Sequence, residues 1–139
     1  MHPVIRQPQV ASSPPFQGMA ALLAAQPELE FAVLIGSRAT GEATETSDWD
    51  IALQWAPGLA LWAVLGQTET LRRRLATVLG VGEAAVDLID LHRANLAMRA
   101  SVAEEGLPLC GQDTLAWSHF LTRTWRELED FYWHKQHAA

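Results

Sequence analysis

Apolar runs and amphipathic stripes alternate along this chain, and their periods mark out its elements before any residue is given a role. The continuous run Phe31–Ile35 reads as a buried strand, and a second strand extends from Trp49 to Trp55, where Pro57 and Gly58 break the chain. From Leu61 to Leu79 the side chains of Leu61, Val64, Leu65, Leu71, Leu75 and Val78 recur at helical spacing, with Gly80 as the stop. The apolar segment 85–91 is a third strand. After it come a helix from about Arg93 to Glu105, a short strand at Leu107–Cys110 and a last helix over roughly Thr114–His134. Ahead of these elements, a helix starting near Ser13 takes Pro14 and Pro15 into its first turn and ends before Pro27. Residues 1–13, rich in proline and polar side chains, are expected to be irregular, leaving 14–139 as a single domain.

The polar stretch between the first two strands carries the chemistry. It opens on Gly36-Ser37-Arg38 and closes on Asp48-Trp49-Asp50. A small residue at a strand end lets main-chain N–H groups and the Ser37 hydroxyl approach a triphosphate closely. Ten residues separate Ser37 from Asp48. Asp48 and Asp50 are two apart at the start of a strand, so both carboxylates project to the same side. Mg²⁺ prefers hard oxygen ligands and takes one or two carboxylates together with substrate phosphates, which is what one Ser and two Asp offer. A third acid, completing a two-metal centre, comes from Val86-Asp87-Leu88-Ile89-Asp90-Leu91. Asp87 and Asp90 differ by an odd number, so in a regular strand only one of them faces the pair. Asp87, deeper in the apolar run, is preferred; Asp90, near the strand exit, suits a cap on a helix beginning near His92. Arg38 has two readings, a phosphate contact or an ion pair with a site acid.

Composition narrows the setting. With 139 residues, 49% of them hydrophobic, the chain buries one core and not two. A formal charge of −6 argues against free nucleic acid as the main ligand, whose sequence-independent binding rests on Lys and Arg, and suits a basic partner. The sole cysteine, Cys110, excludes an intrachain disulfide and reads as a small core residue. The first residues lack a signal-type apolar core, and no run reaches the ~20 apolar residues of a membrane helix, so a cytoplasmic protein without membrane attachment is expected. Arg72, Arg73 and Arg74 read as a solvated helix face. On the last helix, Trp117, Phe120, Leu121, Trp125, Leu128, Phe131 and Tyr132 form a wide apolar stripe that fits packing on a sheet or a partner surface.

The order Gly-Ser, ten residues, Asp-any-Asp and a later strand Asp resembles the nucleotidyltransferase superfamily that includes DNA polymerase beta. The short length, with the Glu105-Gly106-Leu107-Pro108-Leu109 turn after the third strand, is similar to the minimal nucleotidyltransferase (MNT) antitoxins of HEPN/MNT toxin–antitoxin modules. The likeness runs from about Phe31 to Cys110. It implies an α/β (α+β) fold, a mixed sheet flanked by helices. It also implies transfer of AMP from ATP, with Mg²⁺ on Asp48, Asp50 and Asp87 and the phosphates on Gly36, Ser37 and Arg38. The acceptor it implies is a tyrosine hydroxyl on a cognate HEPN toxin ribonuclease. The sequence leaves two rivals: an aminoglycoside-type small-molecule nucleotidyltransferase, and an antitoxin that neutralises its toxin by contact alone. Retention of Gly36, Ser37, Asp48 and Asp50 weighs against the second.

Overall fold

Four strands form one sheet in the order β3-β2-β1-β4: β1 (Leu29–Ile35), β2 (Trp49–Trp55), β3 (Val86–Asp90) and β4 (Leu107–Cys110). β1 runs antiparallel to both neighbours and β2 runs parallel to β3, so the sheet is mixed and the fold is α+β. The helices are α1 (Pro14–Ala24), α2 (Ser37–Thr40), α3 (Leu61–Leu79), α4 (Leu96–Glu105) and α5 (Leu115–His137). The computed structural model describes residues 13–138; apart from Ser13, the segment expected to be irregular lies outside them.

From Phe31 to Ile35, β1 is apolar without alternation because both of its faces are covered. Ala32 and Leu34 pack with Ile51, Leu53, Leu71 and Leu75 and with Met19 and Leu23 of α1. On the other face, Phe31, Val33 and Ile35 pack with Ala52, Val102 and Phe120. The two layers therefore hold α1 and α3 on one side of the sheet and α4 and α5 on the other.

Several expectations shift at element ends. The helix expected from Arg93 begins at Leu96, because Leu91–Arg93 forms a separate 3-10 turn. Asp90 caps that turn by accepting the His92 N–H at 3.0 Å, and Asn95 caps α4 by accepting the Met98 N–H at 2.9 Å. Within α3, Leu71, Leu75 and Ala76 are buried, whereas Leu61, Leu65 and Val78 stay exposed because only part of this long helix lies on the sheet. The arginine cluster is not a uniform solvated face. Arg73 and Arg74 are exposed, but Arg72 donates to the Val86 carbonyl and pairs with Glu69 at 3.0 Å, fastening α3 to the start of β3. Cys110 is half-buried, and that burial pushes its thiol pKa up. Among the described residues no helix is long and apolar enough to cross a membrane.

The aromatic stripe of α5 divides in two. Its first turns join the core: the Phe31 ring lies 5.0 Å from Trp117 and 5.4 Å from Phe120, and Thr124 is buried one turn on. Arg99 of α4 bonds Glu127 at 2.7 Å and pins the two helices together. From Phe131 to Ala138 every residue is exposed, Tyr132 at 57% and Trp133 at 56%, so the stripe is core at one end and bare surface at the other.

Phe120→Ala should therefore cost about 3–5 kcal/mol by removing a buried ring, while Phe131→Ala should stay within about 0.5 kcal/mol. Urea denaturation followed by circular dichroism compares the two; equal losses would mean that α5 packs differently.

Candidate active site

β1 ends at Ile35, paired with Asp50 across the strand boundary, and Gly36 then turns the chain away with φ 75°. The positive φ is what calls for glycine there, and the close approach to the Asp50 carboxylate adds to it. The positive φ disfavours any side chain, and a Cβ would stand 2.6 Å from Asp50 Oδ2. The strand end thus lies directly against one of the carboxylates. From Gly36 the backbone winds into the single turn α2, in which the Gly36 carbonyl accepts from Ala39 and Thr40 at 2.9 and 3.1 Å. The N–H groups of Ser37 and Arg38, at the head of this turn, have no helical carbonyl behind them. They suit a phosphate oxygen.

The loop from Gly41 to Ser47 is stitched to this turn. Gly41 and Glu42 donate to the Ser37 carbonyl at 3.1 and 3.0 Å, and Thr44 donates to Ser47 Oγ at 2.8 Å. Arg38 Nη2 bonds the Ser47 carbonyl at 2.8 Å, and its guanidinium lies 4.2 Å from the centre of the Trp49 ring. Neither sequence reading of Arg38 included this. Its donors are directed at the carbonyls that lead into Asp48, and its plane at the residue between the two acids. The sequence signal was present in Trp49 itself, an aromatic ring set between two carboxylates where a cation can stack.

β2 and β3 run parallel in register, which sets Asp50 beside Asp87 and Leu53 beside Asp90. Asp50 shares its sheet face with Ala52, and Asp87 lies on that face too; Asp90 falls on the opposite one. The strand is regular, so the odd spacing separates the two acids. Contrary to the reasoning from the apolar run, Asp87 is the exposed acid and Asp90 the half-buried one, because β3 lies at the sheet edge. Asp50 has its pKa raised, first by burial and then by the charges of Asp87 and Asp48. Three like charges thus bear on one point, with Asp48 and Asp87 open to solvent. Among the described residues no three carboxylate, imidazole or thiol groups are gathered tightly enough to cage a metal ion alone. Mg²⁺ needs no such cage, since it takes one or two carboxylates and completes its shell with water and phosphate oxygens, and the repulsion raising Asp50 is what a cation would relieve. The donor set fits the ion.

The family model for polymerase beta nucleotidyltransferases matches residues 17–115. The chain belongs to that family. The match spans the whole arrangement just described, from α1 through the acids to the start of α5. Among solved structures, this nucleotidyltransferase is similar to a chain of a toxin–antitoxin complex with AMP-PNP, at 27% identity and TM-score 0.68, covering 87% of this chain and 92% of the other. It is also similar to a chain of the MntA–HepT toxin–antitoxin complex, at 25% identity and TM-score 0.61, with 88% and 91% covered. A third likeness is to a chain in the complex of tri-AMPylated Shewanella oneidensis HEPN toxin with its MNT antitoxin, at 25% identity and TM-score 0.61, with 88% and 90% covered. No curated protein matches the chain significantly.

The raised pKa of Asp50 gives the nucleotidyltransferase a signed pH dependence. A carboxyl whose pKa is higher folded than unfolded binds more protons in the folded state, so its penalty is absent at low pH and grows as pH rises through the folded pKa. Asp50→Asn should therefore stabilise the protein at pH 7–8 without added metal, and the gain should vanish below the ordinary carboxylate range. Urea midpoints of the two proteins across pH test this; a gain that increases on acidification would contradict the site's electrostatics.

Proposed function

We propose that this nucleotidyltransferase is the antitoxin of a HEPN/MNT pair and inactivates its toxin by transferring AMP from ATP to a tyrosine hydroxyl. The observation that carries the reading is the likeness, over nearly nine-tenths of the chain, to chains of toxin–antitoxin complexes, one with AMP-PNP and one with an AMPylated toxin. The open position of Asp48 and Asp87 supports a large acceptor. A surface hydroxyl on another protein can reach exposed carboxylates without a dedicated acceptor domain.

In this reading Gly36 leaves room for the triphosphate, and the Ser37 hydroxyl with the first N–H groups of α2 holds its β and γ phosphates. Arg38 keeps the Gly41–Ser47 loop ordered, so that Asp48 and Asp50 present their carboxylates together. Asp48, Asp50 and Asp87 would hold Mg²⁺, which when bound supplies charge neutralisation at the α-phosphate and at departing pyrophosphate. The tyrosine oxygen forms a bond to the α-phosphorus as the bond from that phosphorus to the bridging oxygen breaks. Asp87, exposed and beside Asp50, accepts the hydroxyl proton directly or through water. The function is exercised in the cytoplasm, with neither nucleic acid nor membrane as a direct partner.

Two experiments test the reading. Incubation of the protein with its neighbouring HEPN protein, ATP and Mg²⁺ should add whole AMP units to the partner's mass. That addition should be abolished in the folded Asp48→Asn/Asp50→Asn variant, reduced at least ~100-fold by Asp87→Asn, and little changed by Asp90→Asn. Label that appears on an aminoglycoside and on no protein would assign the enzyme to small molecules instead.

The second concerns docking. If the stripe of α5 is an interface core, Trp125, 39% exposed, is its aromatic anchor, and Trp125→Ala should weaken toxin binding by about 2 kcal/mol, near thirtyfold in Kd. Charge reversal at exposed Arg73 and Arg74 should matter less. Isothermal titration of each variant with the toxin gives the comparison.

A further inference from the structure

Arg38 is the cation nearest in sequence to the acids, and it is not paired with them. Asp50 Oδ2 lies against Gly36, two residues before Arg38, and Asp48 directly follows the Ser47 carbonyl that Arg38 Nη2 bonds at 2.8 Å. Both carboxylates are therefore within the sweep of this long side chain. Yet each acceptor that its guanidinium meets is a main-chain carbonyl, that of Ser47 at 2.8 and 3.3 Å and that of Glu45 at 3.5 Å. Among the described residues it forms an ion pair with no carboxylate.

What holds it elsewhere is Trp49. The guanidinium lies 4.2 Å from the centre of that ring, and the ring is half-buried against the cluster of Leu34, Ala39 and Ile51 on the α1 and α3 side of the sheet. Asp50 and Asp87 lie on the other side, with Ala52. The stack thus draws the cation round the end of the strand, away from the face that carries the acids. A planar, weakly hydrated guanidinium suits such a ring.

We propose that Trp49 is a positioning residue which, by stacking on Arg38, keeps the guanidinium off Asp48, Asp50 and Asp87 and leaves their charge to Mg²⁺. This rests on the reading of those acids as holders of the ion, and not on the identity of the acceptor. A guanidinium bonded to a carboxylate occupies the oxygens that the ion needs and cancels the charge that attracts it. An aromatic face holds a cation without supplying an anion of its own. With leucine at position 49 the strand and its apolar contact would persist, but the carbonyl bonds alone would have to hold Arg38 against three carboxylates. Charge-assisted pairing with a carboxylate is the stronger kind of bond. Aromatic character, rather than apolar bulk, is therefore what the position requires.

The test follows Mg²⁺ alone, without nucleotide or toxin, by NMR titration of the ¹⁵N-labelled amides of residues 48–50, with circular dichroism checking that each variant is folded. Wild type and Trp49→Phe should bind the ion alike. Trp49→Leu should bind it about threefold to fivefold more weakly, the worth of an exposed ion pair that now competes. Arg38→Gln supplies a sign that a merely structural role would not give. In the Trp49→Leu protein it should strengthen Mg²⁺ binding by a similar factor, because the competing cation is gone, whereas in the wild-type protein it should not strengthen it. The unsubstituted protein gives an independent check: the Arg38 Nε–H resonance should be shifted upfield by the Trp49 ring and stay there as Mg²⁺ saturates the acids. Should Trp49→Leu fail to fold, that resonance still decides. Trp49→Leu as tight as wild type, Trp49→Phe as weak as Trp49→Leu, Arg38→Gln acting with one sign in both backgrounds, or an Arg38 resonance that leaves its ring-shifted position with Mg²⁺ would each overturn the proposal. No saturable Mg²⁺ binding by the wild-type protein would overturn the assignment of the acids to the ion, and this proposal with it.

Discussion

The carboxylate cluster of this protein depends on β2 and β3 running parallel and in register. That pairing alone brings Asp50 and Asp87, separated by an entire crossover, to adjacent positions in the sheet. A slip of one residue would turn Asp87 to the far face and offer an apolar neighbour to Asp50 instead. Parallel strands need a long connection, which α3 supplies, and Arg72 fixes its landing by bonding the Val86 carbonyl one residue before Asp87. The register also sets like charges side by side. The arrangement is tolerable because Asp48 and Asp87 remain in contact with water, where the effective dielectric constant is high.

Gly36 serves the same end from the other side of β2. Its positive φ redirects the chain into α2, and its missing side chain leaves space for the Asp50 carboxylate. The glycine turn and the paired acids are therefore one packed unit. Arg38 adds the third tie, through Ser47 and the Trp49 ring, and keeps the intervening loop from wandering.

Much of this was legible in the sequence because it rests on periodicity and on short-range constraint. The apolar run 31–35, the Asp48–Asp50 spacing and the odd interval between Asp87 and Asp90 each encode a direction, and direction survives whatever the tertiary structure does. What was not legible needed a partner far along the chain. The helical stripe of α3 could not say which of its leucines would meet the sheet, and Leu61 and Leu65 do not. Arg72 looked like its neighbours until Val86 was placed beside it. The division of the α5 stripe depends on where the sheet ends, and Asp90 as the cap of a separate turn shows how local hydrogen bonding shortens a helix that propensity would extend.

One helix thus spans two regimes of stability. The amides of α5 near Phe120 and Thr124 open only when the core does, whereas those beyond Phe131 are held by little except the helix's own hydrogen bonds. Hydrogen exchange along α5 will fall into two classes, slow and then fast, within a single unbroken element. A surface that docks on the outer turns must order them as it binds, and some of its contact energy goes into finishing a helix. Its affinity will then respond to changes in helix propensity at positions it never touches.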